Sequence, residues 1–117
     1  MSLLAPIAVT LVALLHIGFL VLEMFLWDTP RGRRIFGMTP EQSAFSKTLA
    51  ANQGLYNGFL AAGLIWGAFA ARQDIQIFFL VCVIIAGVYG GLTAKRSILT
   101  MQALPGLIAL LVVLFVK

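Results

Sequence analysis

The sequence predicts an all-α protein, an integral-membrane bundle of four up-and-down helices in a single domain over residues 1–117. Its residues are 62% hydrophobic and only 10% charged, whereas a soluble domain averages roughly 45–50% apolar and about 25% charged residues. Four apolar runs each reach the roughly 20 residues that cross a bilayer. Two of their three connections are very short, which makes successive helices antiparallel neighbours. This composition excludes a soluble enzyme, a disordered chain and a disulfide scaffold.

The first helix should be retained, because no basic segment precedes it and no small-residue cleavage site follows it. The second helix has a readable start. Thr39 can act as the N-cap, Pro40 fits the first turn, and Gln42 fits the capping-box position. This helix should therefore begin before the bilayer, which it enters near Thr48. The four expected helices cover residues 3–27, 40–71 (within the membrane from 48), 75–94 and 97–116.

The positions of the Lys and Arg residues predict one orientation in the membrane. Cytoplasmic loops carry an excess of these residues, and six of the eight lie in the first and third loops. We expect both loops in the cytoplasm and both termini outside, because only Arg72 and Lys117 lie on the other side. The residues of the first and third loops are Arg31, Arg33, Arg34, Lys47, Lys95 and Arg96.

The basic segment Arg31–Arg34 lies beside Ile35 and Phe36. It either touches anionic headgroups at the interface or only sets the topology. Because the basic residues lie in connections and not on a folded polar face, nucleic acid is not an expected partner. The single cysteine, Cys82, allows no internal disulfide and no multi-cysteine metal site.

Two ionisable residues interrupt the first helix. His16 and Glu23 are seven residues apart, which places them about 20° apart on one helical face. They are also about 10 Å apart along the axis, too far for a direct hydrogen bond. Trp27 should extend the same stripe. Such groups within a span are costly, and they are functional candidates by default.

The second helix should present a polar arc on one side and small residues on another. Gly54 and Gly58 have the small-xxx-small spacing that lets helices approach closely, and Gly87 and Gly91 repeat it in the third helix. In the fourth helix, Pro105 removes the backbone partner of a carbonyl near Gln102. The polar arc of the second helix, less than half its circumference, contains Asn52, Gln53, Tyr56 and Asn57.

With this orientation, most of these polar residues lie within about two turns of the cytoplasmic face, and His16 lies near the midplane. The layer predicts either a pocket that opens to the cytoplasm or a purely structural hydrogen-bond network. If the protein is catalytic, Glu23 and His16 are the candidates. The predicted ligand-binding residues are His16, Glu23, Trp27, Asn52, Gln53, Tyr56, Asn57, Tyr89 and Gln102.

The segments from His16 to Trp27 and from Asn52 to Ala61 resemble signature segments of the domain-of-unknown-function 1304 family of small membrane proteins. The run Asn-Gln-Gly-Leu-Tyr-Asn is unusual in a transmembrane helix. The resemblance extends over the whole chain, and it implies a multi-pass protein of the bacterial inner (plasma) membrane. It implies no established activity, so it assigns no catalytic residue.

Several functions remain open at this stage. The favoured one is binding of a small or lipid-like ligand, or of a partner protein, at the polar layer. The alternatives are a proton-coupled transporter similar to the small multidrug exporters, and a membrane enzyme that uses Glu23 as general acid and base. We expect no metal and no cofactor. Besides membrane lipid, a second copy is the expected partner, in a dimer or trimer, because Gly63 and Gly67 repeat the small-xxx-small spacing.

Overall fold

The computed structural model describes residues 2–116, and in that range the chain is 85% helical with no strand. This confirms the all-α prediction. Five α-helices are joined by short turns, and a π-helical segment, Leu99–Ala103, precedes the last of them. The α-helices are α1 (Leu4–Met24), α2 (Pro30–Phe36), α3 (Pro40–Phe69), α4 (Gln73–Thr93) and α5 (Leu104–Phe115).

The predicted start of α3 is confirmed. The Thr39 hydroxyl accepts a hydrogen bond from the Gln42 backbone N–H at 3.1 Å, and the Gln42 side chain accepts one from the Thr39 N–H at 2.9 Å. These reciprocal bonds form a capping box, which satisfies two backbone donors that a helix start leaves without partners. α3 therefore begins at Pro40, as the sequence indicates.

The predicted end of the first helix is wrong. α1 ends at Met24, so Trp27 lies in the following turn and does not extend the face of His16 and Glu23. The cause is an unpredicted second helix start directly after the turn. Thr29 donates its hydroxyl to the Leu26 carbonyl at 2.6 Å and caps α2 by accepting from the Gly32 N–H at 3.2 Å.

The last predicted helix, 97–116, is divided in two by its proline. Pro105 lies in the first turn of α5, where its missing N–H costs least. Before it, residues 99–103 widen to π-helical geometry, and the Leu104 N–H donates to the Leu99 carbonyl five residues back. A π turn of this kind is one of the ways a helix accommodates an irregularity in its hydrogen-bond ladder.

The described chain forms two compact units. The first unit consists of residues 15–59, and the second consists of the residues up to Leu14 and those from Leu60 onward. The single-domain organisation stays a prediction. In the second unit, the fully buried Leu64, Leu80 and Val83 form the centre of the core. Gly87 faces the backbone of Ala103, so the predicted close approach at this glycine is present.

Gly63 and Gly67, which suggested an interface between copies, make their close contacts inside the chain. A Cβ on Gly63 would collide with the Phe79 ring, and one on Gly67 would lie 2.9 Å from Gln76 Cγ. Gln76 also donates its amide to the Gly67 carbonyl at 2.8 Å. These two glycines thus serve the packing of α3 against α4 within the second unit.

Two helices, Leu4–Met24 and Gln73–Thr93, are long and apolar enough to cross a membrane by length and composition. α3 has 30 residues, which is also sufficient length, but its Asn52-Gln53 and Asn57 positions make it more polar. The apolar stretch Leu99–Phe115 is shorter than these spans.

Candidate functional site

The polar pair of Glu23 and Asn57 is the centre of the candidate site, in the unit of residues 15–59. The Asn57 amide donates a hydrogen bond to Glu23 Oε1, and both side chains are half-buried. Gly54 makes this bond possible, because a Cβ there would lie 2.6 Å from Met24 Cγ and 3.2 Å from the Leu20 carbonyl. α1 and α3 therefore approach closely in this unit, and the short amide side chain reaches the carboxyl group.

The other polar residues of α3 do not join this pair. Asn52, Gln53 and Tyr56 are all exposed. On a helical wheel Asn57 lies about 60° from Gly54, whereas Asn52 lies about 160° from it. The glycine face, with Asn57 beside it, therefore contacts α1 in this unit. The role of these three residues in a pocket with Glu23 stays a prediction.

The remaining predicted site residues have separate surroundings. His16 is fully buried, and its ring packs edge-on against Phe19 with a centroid distance of 5.1 Å. Tyr89 and Gln102 belong to the second unit. Tyr89 is 71% exposed, and Gln102 is half-buried in the π-helical segment.

A second polar cluster, missed from the sequence, follows α1. Asp28 Oδ1 accepts hydrogen bonds from Ser43 Oγ at 2.7 Å and from Arg33 Nη1 at 3.1 Å. Ser43 is fully buried, and Arg33 and Asp28 form a partly exposed ion pair. The cluster ties α2 to the first turn of α3. Arg33 therefore makes a structural contact in addition to its predicted role in the topology.

Trp27 belongs to this same region. Its indole N–H donates to Ser46 Oγ at 2.9 Å, and its ring packs on Phe36 with a centroid distance of 4.6 Å. Trp27 thus links the turn to both α2 and α3. The available signal was the dipeptide Thr29-Pro30, which repeats the helix-start pattern of Thr39-Pro40.

The chemistry of the Glu23 site is that of a carboxyl group beside a neutral amide. Such a pair can accept and donate hydrogen bonds, and the carboxyl group can exchange a proton. Among residues 2–116, no three His, Cys, Asp or Glu side chains lie together as metal ligands. In the same range, every buried side-chain nitrogen and oxygen has a hydrogen-bond partner.

A mainly apolar cavity of about 330 Å³ lies in the second unit and does not include Glu23. It lies where the start of α1, the end of α3, the start of α4 and the end of α5 meet. The predicted pocket around Glu23 stays a prediction. The cavity is lined by Ser2, Leu3, Ala5, Pro6, Ala68, Ala71, Gln73, Gln76 and Val113.

Comparison with known proteins confirms the resemblance found in the sequence. Residues 10–114 match the family described as "Protein of unknown function (DUF1304)". The chain is similar to the uncharacterized protein YpaA of Lactococcus lactis subsp. lactis (strain IL1403), with 33% identity over 115 residues. That alignment covers 95% of this chain and 97% of the relative. No solved structure matches the chain.

Proposed function

The chain belongs to the DUF1304 family of proteins of unknown function, and we propose that it is a multi-pass membrane protein that binds a small polar or lipid-like ligand beside Glu23. α1, α3, α4 and the last helical segment cross the membrane in this proposal. Both termini lie outside, and α2 and the turn near Lys95 face the cytoplasm. The bacterial relative fits a location in a bacterial inner membrane.

The membrane part of this proposal is supported by the apolar surface. Large hydrophobic side chains are exposed along every long helix, among them Leu11 on α1, Phe59 on α3 and Ile85 on α4. In water such a surface would aggregate, whereas in lipid it is solvated. The charge distribution supports the orientation too, because six of the eight Lys and Arg residues lie in the first and third loops.

The ligand part depends on one observation, the half-buried hydrogen bond between Glu23 and Asn57. Placing a carboxyl group in a membrane span has a desolvation cost. Apolar packing would hold the helices together without this cost, so a purely structural role does not account for Glu23. Its half-exposed position leaves atoms of the pair accessible to a second molecule. Three exposed apolar residues, Phe25, Leu55 and Phe59, lie within two residues of Glu23 or Asn57 in the sequence. Such apolar surface suits a ligand that has an apolar part.

Mass spectrometry of co-purified compounds tests this proposal. Wild type, Glu23→Ala, Asn57→Ala and Gln73→Ala are purified in one detergent, and organic extracts are compared at equal protein amounts. Gln73→Ala is the matched control, because it removes a side-chain hydrogen bond to the Val113 carbonyl in the second unit. We expect a compound that wild type and the control retain and that both site variants lose. Identical extracts from all four proteins would contradict the proposal.

Proton-coupled transport is the second candidate, and one observation favours it. The described partner of Glu23 is a neutral amide and not a cation, which leaves the carboxyl group able to take up and release a proton. In this case Glu23→Gln vesicles should lose proton-dependent flux that wild-type vesicles show. A membrane enzyme with Glu23 as acid and base would instead show turnover of the co-purified compound.

Association into a dimer or trimer also stays a proposal. It is now supported by the exposed polar residues of α3, Asn52, Gln53 and Tyr56, and no longer by Gly63 and Gly67. Polar side chains on a spanning helix are stabilised by hydrogen bonds across a helix interface.

A further inference from the structure

The short helix α2 has two opposite faces, and one of them is fixed to the rest of its unit. Gly32, Arg33 and Phe36 lie within about 100° of arc on the helical wheel. Gly32 packs so closely on the Leu26 and Trp27 carbonyls that a Cβ would collide with them. Arg33 is bound to Asp28, and Phe36 packs on the Trp27 ring. This inner face therefore determines how α2 is oriented.

The opposite face of α2 is exposed and consists of Arg31, Arg34 and Ile35, which we call the cationic face. These three residues also lie within about 100° of arc. Both arginines are exposed, and Ile35 is 48% exposed. Because the inner face is held by several contacts, the cationic face is presented in a fixed direction and not by a flexible loop. Two guanidinium groups with no partner among residues 2–116 thus lie next to one exposed aliphatic side chain.

We propose that the cationic face of α2 binds the anionic headgroups of membrane lipids. α2 begins six residues after a helix that is long and apolar enough to span the membrane, so it lies at the interface if α1 does span. Juxtamembrane Lys and Arg residues are attracted to anionic lipids there. Guanidinium groups can donate two parallel hydrogen bonds to a phosphate, and Ile35 can enter the acyl boundary.

The start of α3 supports a lipid surface as the partner. Phe45 is 93% exposed, the largest exposed fraction among the large hydrophobic residues described. It lies five residues after Pro40, in the part of α3 that precedes the expected membrane entry. Exposed aromatic and aliphatic side chains beside cations are typical of segments that lie in the membrane interface. A soluble anion would require the arginines but not the exposed apolar side chains of Ile35 and Phe45.

Trp27 offers a local reporter for the test, since its ring contacts Phe36 of α2. Trp66→Phe leaves Trp27 as the single tryptophan. This protein is reconstituted into vesicles of phosphatidylcholine and phosphatidylglycerol, in which one lipid or the other is brominated high in its acyl chains. The ratio of Trp27 quenching by the two brominated lipids measures the local preference for the anionic lipid. The same measurement is made for Arg31→Gln/Arg34→Gln and for Lys95→Gln/Arg96→Gln.

The two double variants lose the same charge, but only the first lies on the cationic face. We expect a wild-type preference for phosphatidylglycerol that falls at least about fivefold in Arg31→Gln/Arg34→Gln, the equivalent of one basic residue near an anionic surface. Lys95→Gln/Arg96→Gln should keep the preference, and melting temperatures should stay unchanged. An unchanged preference in the first variant, or an equal fall in both, would overturn the proposal. Loss of the preference on adding inorganic phosphate at constant ionic strength would overturn it as well, in favour of a soluble anion.

Discussion

Replacing Glu23 and Asn57 singly and together tests whether their hydrogen bond holds the helices together or serves a ligand. Both side chains are half-buried, and in the proposed pocket water reaches the atoms that an alanine leaves without a partner. Each single alanine variant should therefore lower the free energy of unfolding by only about 1 kcal/mol. Glu23→Gln should be nearly neutral, because its amide oxygen can still accept from Asn57.

The magnitude of the coupling follows from the single bond that the pair shares. Hydrogen bonds between side chains of neighbouring membrane helices contribute about 0.6 kcal/mol on average in one well-measured protein. The double variant should thus be more stable than the sum of the single effects predicts, by about 0.6 kcal/mol. Asn57→Ala combined with Gln73→Ala is the control pair, and its effects should add because these residues share no hydrogen bond.

Unfolding by sodium dodecyl sulfate in mixed micelles, at two pH values, measures these free energies. A coupling energy of zero would refute the described hydrogen bond. A loss above roughly 3 kcal/mol for Glu23→Ala would exceed the cost of one unpaired polar group. If Glu23→Gln then lost nothing and pH had no effect, Glu23 would only hold the bundle together, and the ligand proposal would fail.

Three further predictions concern the helix ends. Gly32→Ala should destabilise the protein by about 1–3 kcal/mol, because the new methyl group collides with the Leu26 and Trp27 carbonyls; an unchanged melting curve would disprove this close packing. Thr39→Ala should lower the free energy of unfolding by about 1 kcal/mol, because it removes the N-cap of α3. Thr100→Ala is the control, since the Thr100 hydroxyl does not cap a helix, and an equal effect of the two variants would disagree with the prediction. Pro105→Ala restores a backbone N–H, so the backbone chemical shifts of residues 99–103 should change from π-helical to α-helical values; unchanged shifts would show that the proline does not cause the π turn.

A helix end that depends on hydrogen bonds between residues close in sequence could be predicted from the sequence. This explains why the prediction was correct for the start of α3 and not for the end of α1. The start of α3 followed from Thr39, Pro40 and Gln42 alone. The same pattern at Thr29-Pro30 starts α2, but a seven-residue helix has no apolar period of its own. Its stability comes from the contacts of Arg33 with Asp28 and of Phe36 with Trp27, which depend on the tertiary structure. The predicted end of α1 was wrong because the sequence did not reveal these tertiary contacts of α2.

The candidate site could be predicted only in part. The wheel placed Asn57 and Gly54 correctly relative to each other. A wheel gives angles around one helix, however, and it does not say which arc faces the neighbour. In the structure the arc that contains Gly54 faces α1, because the close approach of the two helices requires a residue without a side chain. Asn52 and Tyr56 were therefore expected beside Glu23 but are exposed.

Thiol labelling of intact cells tests most directly whether the chain spans the membrane with Glu23 toward the cytoplasm. Cys82→Ser removes the native cysteine, and single cysteines are then introduced as Arg34→Cys on α2 and as Lys117→Cys at the last residue. The proposed topology predicts that a membrane-impermeant maleimide labels the Lys117→Cys protein from outside, and that the Arg34→Cys protein reacts only after the cells are opened. Labelling of both proteins in intact cells, or of the Arg34→Cys protein alone, would contradict it.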